Sequence, residues 1–166
     1  WIEGDSLAPY QGSKPETIKA VLAIADLTPL DVVYDLGCGD ARIPIAAAEF
    51  YNCKAVGIEK FVFDKAEKRL KQEIEGSDPA RARSLQSLVS IREEDALTCD
   101  MRDCTVCIMF LLPDGLKQIS ERLDSLLDQG VRLVTIFWGI KTRKPIKTNN
   151  VGHTTIYYYT KESEKC

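Results

Sequence analysis

Apolar and polar positions along this chain follow two alternating periods. Ile18, Val21, Leu22 and Ala25 recur at spacings of three and four, which predicts a helix. Ser13-Lys14-Pro15-Glu16 marks its start: Ser13 can cap, Glu16 can complete a capping box, and Pro15 is tolerated in the first turn. Thr28-Pro29-Leu30-Asp31 breaks it, and the apolar run 32–36 reads as a buried strand. An alanine-rich helix is predicted over 40–50, with Pro44 near its first turn, and a second strand over 55–59. Phe63, Ala66, Leu70 and Ile74 form a stripe among Lys and Glu that Gly76 closes. Residues 77–87 are polar, and Asp78-Pro79 can begin a short helix there. Leu88–Ile91 starts a third strand. The nearly unbroken apolar run 105–112 suits a central parallel strand covered on both faces. Asp114 can cap a helix that buries Leu116, Ile119, Leu123, Leu126 and Leu127. Further strands are predicted over 131–138 and 154–160.

Strands alternating with helices imply right-handed βαβ units, hence a doubly wound α/β fold with a mostly parallel sheet in one three-layer domain. The last connection departs from this. Residues 139–152, with Pro145 and Asn149-Asn150, are too few for a crossover helix. The final strand is therefore expected to enter antiparallel, with a short partner near 144–148. Residues 1–12, with Gly4, Pro9 and Gly12, read as an irregular lead-in, 13–161 as the domain, and 162–166 as a tail. No internal repeat or second domain is visible.

The chain has 166 residues, 45% of them hydrophobic, enough for one sizeable core. A net charge of −3 gives no broad basic field that would make nucleic acid an obligatory partner. Lys141, Arg143, Lys144 and Lys147 form a late basic cluster that reads as a solvated loop. Most of the six cysteines read as reduced thiols of an intracellular protein. Cys104 and Cys107 form a C-x-x-C with Cys99 nearby, but a fourth ligand is missing and the lone His153 is remote. Cysteines three apart on a strand also face opposite ways, so no metal site is expected. No apolar run reaches membrane-spanning length. The sequence starts at Trp1 rather than Met, so a presequence or anchor upstream would be invisible, and cytoplasmic and mitochondrial locations both stand.

The most informative run is Val32-Val33-Tyr34-Asp35-Leu36-Gly37-Cys38-Gly39-Asp40-Ala41-Arg42: strand, glycine turn, helix start. Glu59 ends the next strand-like run, about 20 residues on, where an acid reaches ribose hydroxyls. The position of a dinucleotide motif's third glycine holds Arg42, and no Gly-Lys-Ser/Thr occurs. Asp35 would repel a pyrophosphate but suits an ammonium group. The preference is for a phosphate-free, cationic nucleoside, S-adenosylmethionine.

Asp35-Leu36-Gly37-Cys38-Gly39 resembles motif I of the class I, seven-strand, Rossmann-like S-adenosylmethionine-dependent methyltransferases. Glu59 resembles their ribose-binding acid, and Glu94-Asp95-Ala96-Leu97 their adenine-binding segment. The likeness spans about residues 8–160. Pro9-Tyr10, the G-D-x-R of Gly39–Arg42, Phe110-Leu111-Leu112-Pro113 and the direct connection from the fifth to the last strand are similar to a narrower group. It comprises small prokaryotic methyltransferases and eukaryotic protein-lysine methyltransferases that act on mitochondrial membrane proteins.

The resemblance implies that Asp35 and the Gly37 backbone hold the methionine ammonium, and that Cys38 and Gly39 allow close approach. Glu59 would take the ribose, with Lys60 beside it, and Glu94 or Asp95, Asp95 being favoured, would take the adenine amino group beside the Ala96 N–H. Ser13 and Tyr10 could close over the methionine end. Phe110, Leu111, Leu112 and Pro113 would sit where methyl group and acceptor meet, although Leu111 and Leu112 read equally as core. Arg42 either pairs with an acid at the sheet top or lies on the surface. His153 reads as structural or exposed, and no general base is named. The implied activity is methylation of a protein lysine. A small-molecule or RNA methyltransferase is the alternative among enzymes, and a non-catalytic cofactor-binding module the alternative of another class. The Asp/Asn-Pro-Pro-Tyr/Phe signature of base-amine methylation is absent, and so is the D/E-x-x-Y/F signature of another lysine-methylating group.

Overall fold

The short apolar runs become strands of one sheet because each is too short for a helix and rich in β-branched residues. The computed structural model describes residues 13–166; the lead-in, with Pro9 and Tyr10, lies outside the described residues. Helix α1 (Pro15–Ile24) leads into β1 (Val32–Leu36), α2 (Arg42–Tyr51), β2 (Lys54–Ile58), α3 (Phe63–Glu75), α4 (Pro79–Leu88) and β3 (Val89–Arg92). Then come β4 (Val106–Met109), α5 (Pro113–Asp128), β5 (Arg132–Ile136), β6 (Lys147–Val151) and β7 (Thr154–Tyr159). The sheet order is β3-β2-β1-β4-β5-β7-β6. The first five strands are parallel; β7 runs antiparallel to β5, and β6 antiparallel to β7. The expected Rossmann-like fold with an antiparallel ending is therefore observed.

Strand alternation divides the core. Tyr34, Leu36 and Met109 face α5, meeting Leu116, Ile119 and Leu123. Val33, Ile108 and Val134 face α1 and α2, meeting Val21, Leu22 and Ala47. A third cluster joins Ala41, Ile45 and Ala48 of the α2 region to Ala66 and Leu85. Among the described residues no helix is long and apolar enough to cross a membrane.

Several local expectations change. The N-cap of α1 is Lys14 without a side-chain bond, not Ser13, because Pro15 fixes the first turn one residue later. Leu112, not Asp114, precedes α5, with Pro113 leading the helix and Asp114 in its first turn. The region after Asp78 is a full ten-residue helix, and the Asp78 carboxylate accepts from the Arg81 N–H. Cys104 lies before β4, so strand alternation does not separate it from Cys107, and both join the α5-side core. Arg143 is not solvated: it is 3% exposed and donates to Asp124 at 2.7 Å and Asp128 at 3.1 Å. With Lys144–Glu164 at 2.7 Å and a bridge from Arg143 to Lys165, these two residues of the late basic cluster clamp the tail, while Lys141 and Lys147 are exposed as expected and Lys147 pairs with Asp26 at 3.0 Å. His153 is exposed in the turn between β6 and β7.

Candidate active site

The C-terminal ends of the parallel strands carry the functional loops, as is usual for open α/β sheets. After β1 the backbone turns through positive φ at Gly37 (73°), Gly39 (59°) and Ala41 (68°). The Gly37 and Cys38 N–H groups both donate to the Ile58 carbonyl, at 2.9 and 3.0 Å, folding the turn against the end of β2. Cys38 Sγ rests on Gly57, where a Cβ would come within 2.7 Å of it, so β2 needs glycine there. A Cβ at Gly39 would meet nothing within 4 Å, so the ground above the turn is open. Burial, then the Asp35 and Glu59 charges, push the Cys38 thiol up, leaving it unreactive.

Three carboxylates converge here with different fates. Asp40 accepts from Arg42 Nε at 2.8 Å and Arg69 Nη1 at 3.0 Å. Arg42 thus takes the pairing role, and it also donates to the Ser13 carbonyl at 3.3 Å. Glu59 accepts from the Gly39 N–H at one oxygen (2.9 Å) and from the Phe61 and Val62 N–H groups at the other (2.9 and 3.3 Å). It therefore ties the glycine turn to the entry of α3, a structural duty that its place in the sequence does not reveal. Asp35 is 4% exposed, and no described residue donates to its carboxylate. Burial, then the charges of Glu59 and Asp40, raise its pKa well above the ordinary value.

After β3, Glu94 is committed to an ion pair with Arg92. Asp95 accepts from the Leu97 N–H at 2.9 Å and pairs with Lys60 at 3.3 Å. The Ala96 N–H has no acceptor among the described residues, while its carbonyl takes Arg122 Nη1 at 2.9 Å. Arg122 of α5 also bonds the Cys99 carbonyl, so it braces this segment. Nothing in the sequence around Arg122 marks that role.

At the end of β4, Phe110 is half-buried, Leu111 is a core residue at 1% exposure, Leu112 is half-buried and Pro113 exposed. Beside them, just past β5, stand Phe137 and Trp138, which the sequence reading took as the strand's end. The Trp138 ring lies 6.0 Å from Phe110 and 4.5 Å from Phe137. The signal available was two aromatic residues at the C-terminal end of a parallel strand.

The arrangement is thus a buried carboxylate with no donor among the described residues, beside an acid that holds the turn, with an aromatic group across β4. Residues 35–147 match the model of the ANTKMT methyltransferase domain. A protein-lysine N-methyltransferase of Saccharolobus islandicus (strain REY15A) is 31% identical over 156 residues, 90% of this chain and 92% of that protein. The adenine nucleotide translocase lysine N-methyltransferase of Mus musculus is 26% identical over 151 residues, and the match spans 91% of this chain and 62% of that protein. Among solved structures, an RNA methyltransferase from Salinibacter ruber in complex with S-adenosyl-L-homocysteine superposes with a TM-score of 0.76. It is 28% identical, and the match covers 90% of this chain and 93% of that one.

Proposed function

Because this chain belongs to the ANTKMT methyltransferase family and is an S-adenosylmethionine-dependent methyltransferase, we propose that it methylates the side-chain amine of a protein lysine. Both curated relatives reported above carry lysine N-methyltransferase names, which supports that acceptor. The observation that carries the cofactor site is Asp35: a buried carboxylate with no donor among the described residues suits a methionine ammonium in a dry site.

The rest of the site fits the same group. The carboxylate of Glu59 has about four lone-pair positions, three of them used by backbone N–H groups, so ribose hydroxyls share what remains. Asp95 is the better adenine partner than Glu94, whose carboxylate is held by Arg92. The Ala96 N–H offers an adenine ring nitrogen a donor. Gly39 leaves room for the ligand above the turn.

The cofactor supplies a methyl group on a positively charged sulfur, already a good leaving group. The chain's residues then need to align and exclude water rather than to donate or accept a proton in the slow step. Alignment alone can account for about 7–11 kcal/mol of such a barrier. An acceptor amine entering an apolar mouth loses its proton more readily, since desolvation lowers an ammonium pKa. The six free cysteines, five of them buried, support a reducing, intracellular compartment.

The test is transfer of labelled methyl from S-adenosylmethionine to dialysed cell lysate, split between protease and nuclease digestion, with label mapped by mass spectrometry. Label on lysine Nε is the expected result. Label confined to RNA, the acceptor class in the Salinibacter enzyme's name, would reject the lysine reading alone. No labelled product would favour a binding module.

A further inference from the structure

Four described non-glycine residues have positive φ, and only Phe137, at 74°, carries a bulky side chain there. Such a conformation is strained for a side chain of this size and persists only where the surroundings impose it. Here they do. The Trp138 N–H donates to the Ile136 carbonyl at 2.9 Å, closing a three-residue turn around Phe137, and the Phe137 N–H donates to the Thr155 carbonyl at 2.8 Å. The Ile140 N–H donates to the Tyr159 hydroxyl at 2.8 Å. Glycine at 139 lets that hydroxyl approach, since a Cβ there would lie 2.9 Å from it. The loop is fastened on both sides, and its effect is to hold Phe137 outward, 43% exposed, against a half-buried Trp138.

The location decides the meaning. Phe110 follows β4, which lies between β5 and β1, and Asp35 of β1 stands in register with Ile108 of β4. The three rings therefore flank the same end of the sheet as the Asp35 carboxylate. They meet at 33° and 59°, so they form angled walls rather than a flat face for a nucleobase. Angled aromatic walls suit a slender alkyl stem: its methylenes pack on the rings, its ammonium is drawn to the ring faces on entry, and it gives up its proton further in, where desolvation lowers its pKa.

We propose that Phe110, Phe137 and Trp138 form the slot that takes the acceptor's alkylamine side chain, with Trp138 as the residue that selects it. This rests on the lysine reading above and deepens it. The strained turn at Phe137 is the device that presents Trp138 to the acceptor.

Trp1 and Trp138 are the two tryptophans of the chain, so Trp1→Phe leaves Trp138 as the sole indole reporter. That protein, saturated with S-adenosylhomocysteine, is titrated with n-butylammonium, with n-butanol and with uridine while Trp138 fluorescence is followed. The slot predicts a saturable response to n-butylammonium with half-saturation at least fivefold below that of n-butanol, and none to uridine. An equal response to n-butanol, no saturable response, or a stronger response to uridine overturns it, the last in favour of base stacking. Trp138→Leu should reduce label transfer to lysate protein at least tenfold while the S-adenosylhomocysteine Kd stays within twofold. A matching loss of cofactor affinity would make Trp138 a support of the cofactor site and overturn the proposal. A wild-type chain that binds no S-adenosylhomocysteine in calorimetry would overturn the cofactor site first, and the slot with it.

Discussion

Asp35→Asn removes one charge and keeps the shape of the side chain, and it separates stability from function. In the wild type the carboxylate is 4% exposed, lacks a donor among the described residues, and stands near Glu59 and Asp40. Its folded pKa lies above the ordinary value of 3.8, so the folded chain binds protons more readily than the unfolded chain. Stability is therefore undiminished below 3.8 and is lost as pH rises from there through the folded pKa. Asn leaves a polar group at this position, so the change recovers only what the buried charge costs beyond a neutral group, about 1–3 kcal/mol. For a chain of this size 1 kcal/mol moves Tm by about 2–4 °C. Asp35→Asn should then raise Tm at pH 7 by roughly 2–12 °C, and the gain should shrink as pH falls towards 3.8. The same change removes one partner of the ion pair formed with the cofactor's ammonium, worth about 3–5 kcal/mol in a buried setting, or roughly 10²–10⁴-fold in Kd. Thermal scans from pH 5 to 8 and calorimetry with S-adenosylhomocysteine measure both. A variant that melts lower than wild type at pH 7, or that keeps its affinity within threefold, would refute the reasoning.

Glu59→Ala should lose cofactor affinity and also about 2–4 kcal/mol of stability, because the Gly39 and Phe61 N–H groups lose their acceptor; Glu59→Gln should lose affinity with a smaller drop in the urea midpoint. Gly57→Ala forces a Cβ within 2.7 Å of Cys38 Sγ and 2.9 Å of Ile91 Cδ1, an overpacking of about 1–3 kcal/mol. Adding Cys38→Ala should recover part of it in a double-mutant cycle, and strict additivity would show that the sulfur is not the obstacle. Arg143→Leu should lower stability by about 1.5–3 kcal/mol through the lost bonds to Asp124 and Asp128. It should also free the tail to proteolysis, and a tail as resistant as in wild type would argue against the clamp.

The fold was legible because its signals are local. Runs such as Val32–Leu36 and 105–112 announce buried strands, and the short 139–152 connection forces the last strand to reverse. The edges were less legible because caps depend on a single residue's geometry, as when Pro15 moves the start of α1 past Ser13. In the site, Asp35, Gly37, Gly39 and Glu59 stand out by spacing alone. Their division of labour does not: that Glu59 is tied to three N–H groups while Asp35 has no donor among the described residues depends on contacts between separate loops. Arg143 looked solvated because its partners Asp124 and Asp128 lie on α5, far away in sequence. Trp138 was hidden because the bend at Phe137 is a conformation that phenylalanine rarely adopts, and only the bonds to Thr155 and Ile136 impose it.

The proposed anchor of the cofactor is the Asp35 carboxylate at the end of β1, which has no donor among the described residues. A crystal structure with S-adenosylhomocysteine measures it directly. The expected result is the ligand's ammonium about 2.7–3.0 Å from an Asp35 oxygen, with the ribose diol at Glu59. An ammonium paired with Asp40 instead, or a ligand seated away from the Gly37–Gly39 turn, would contradict it.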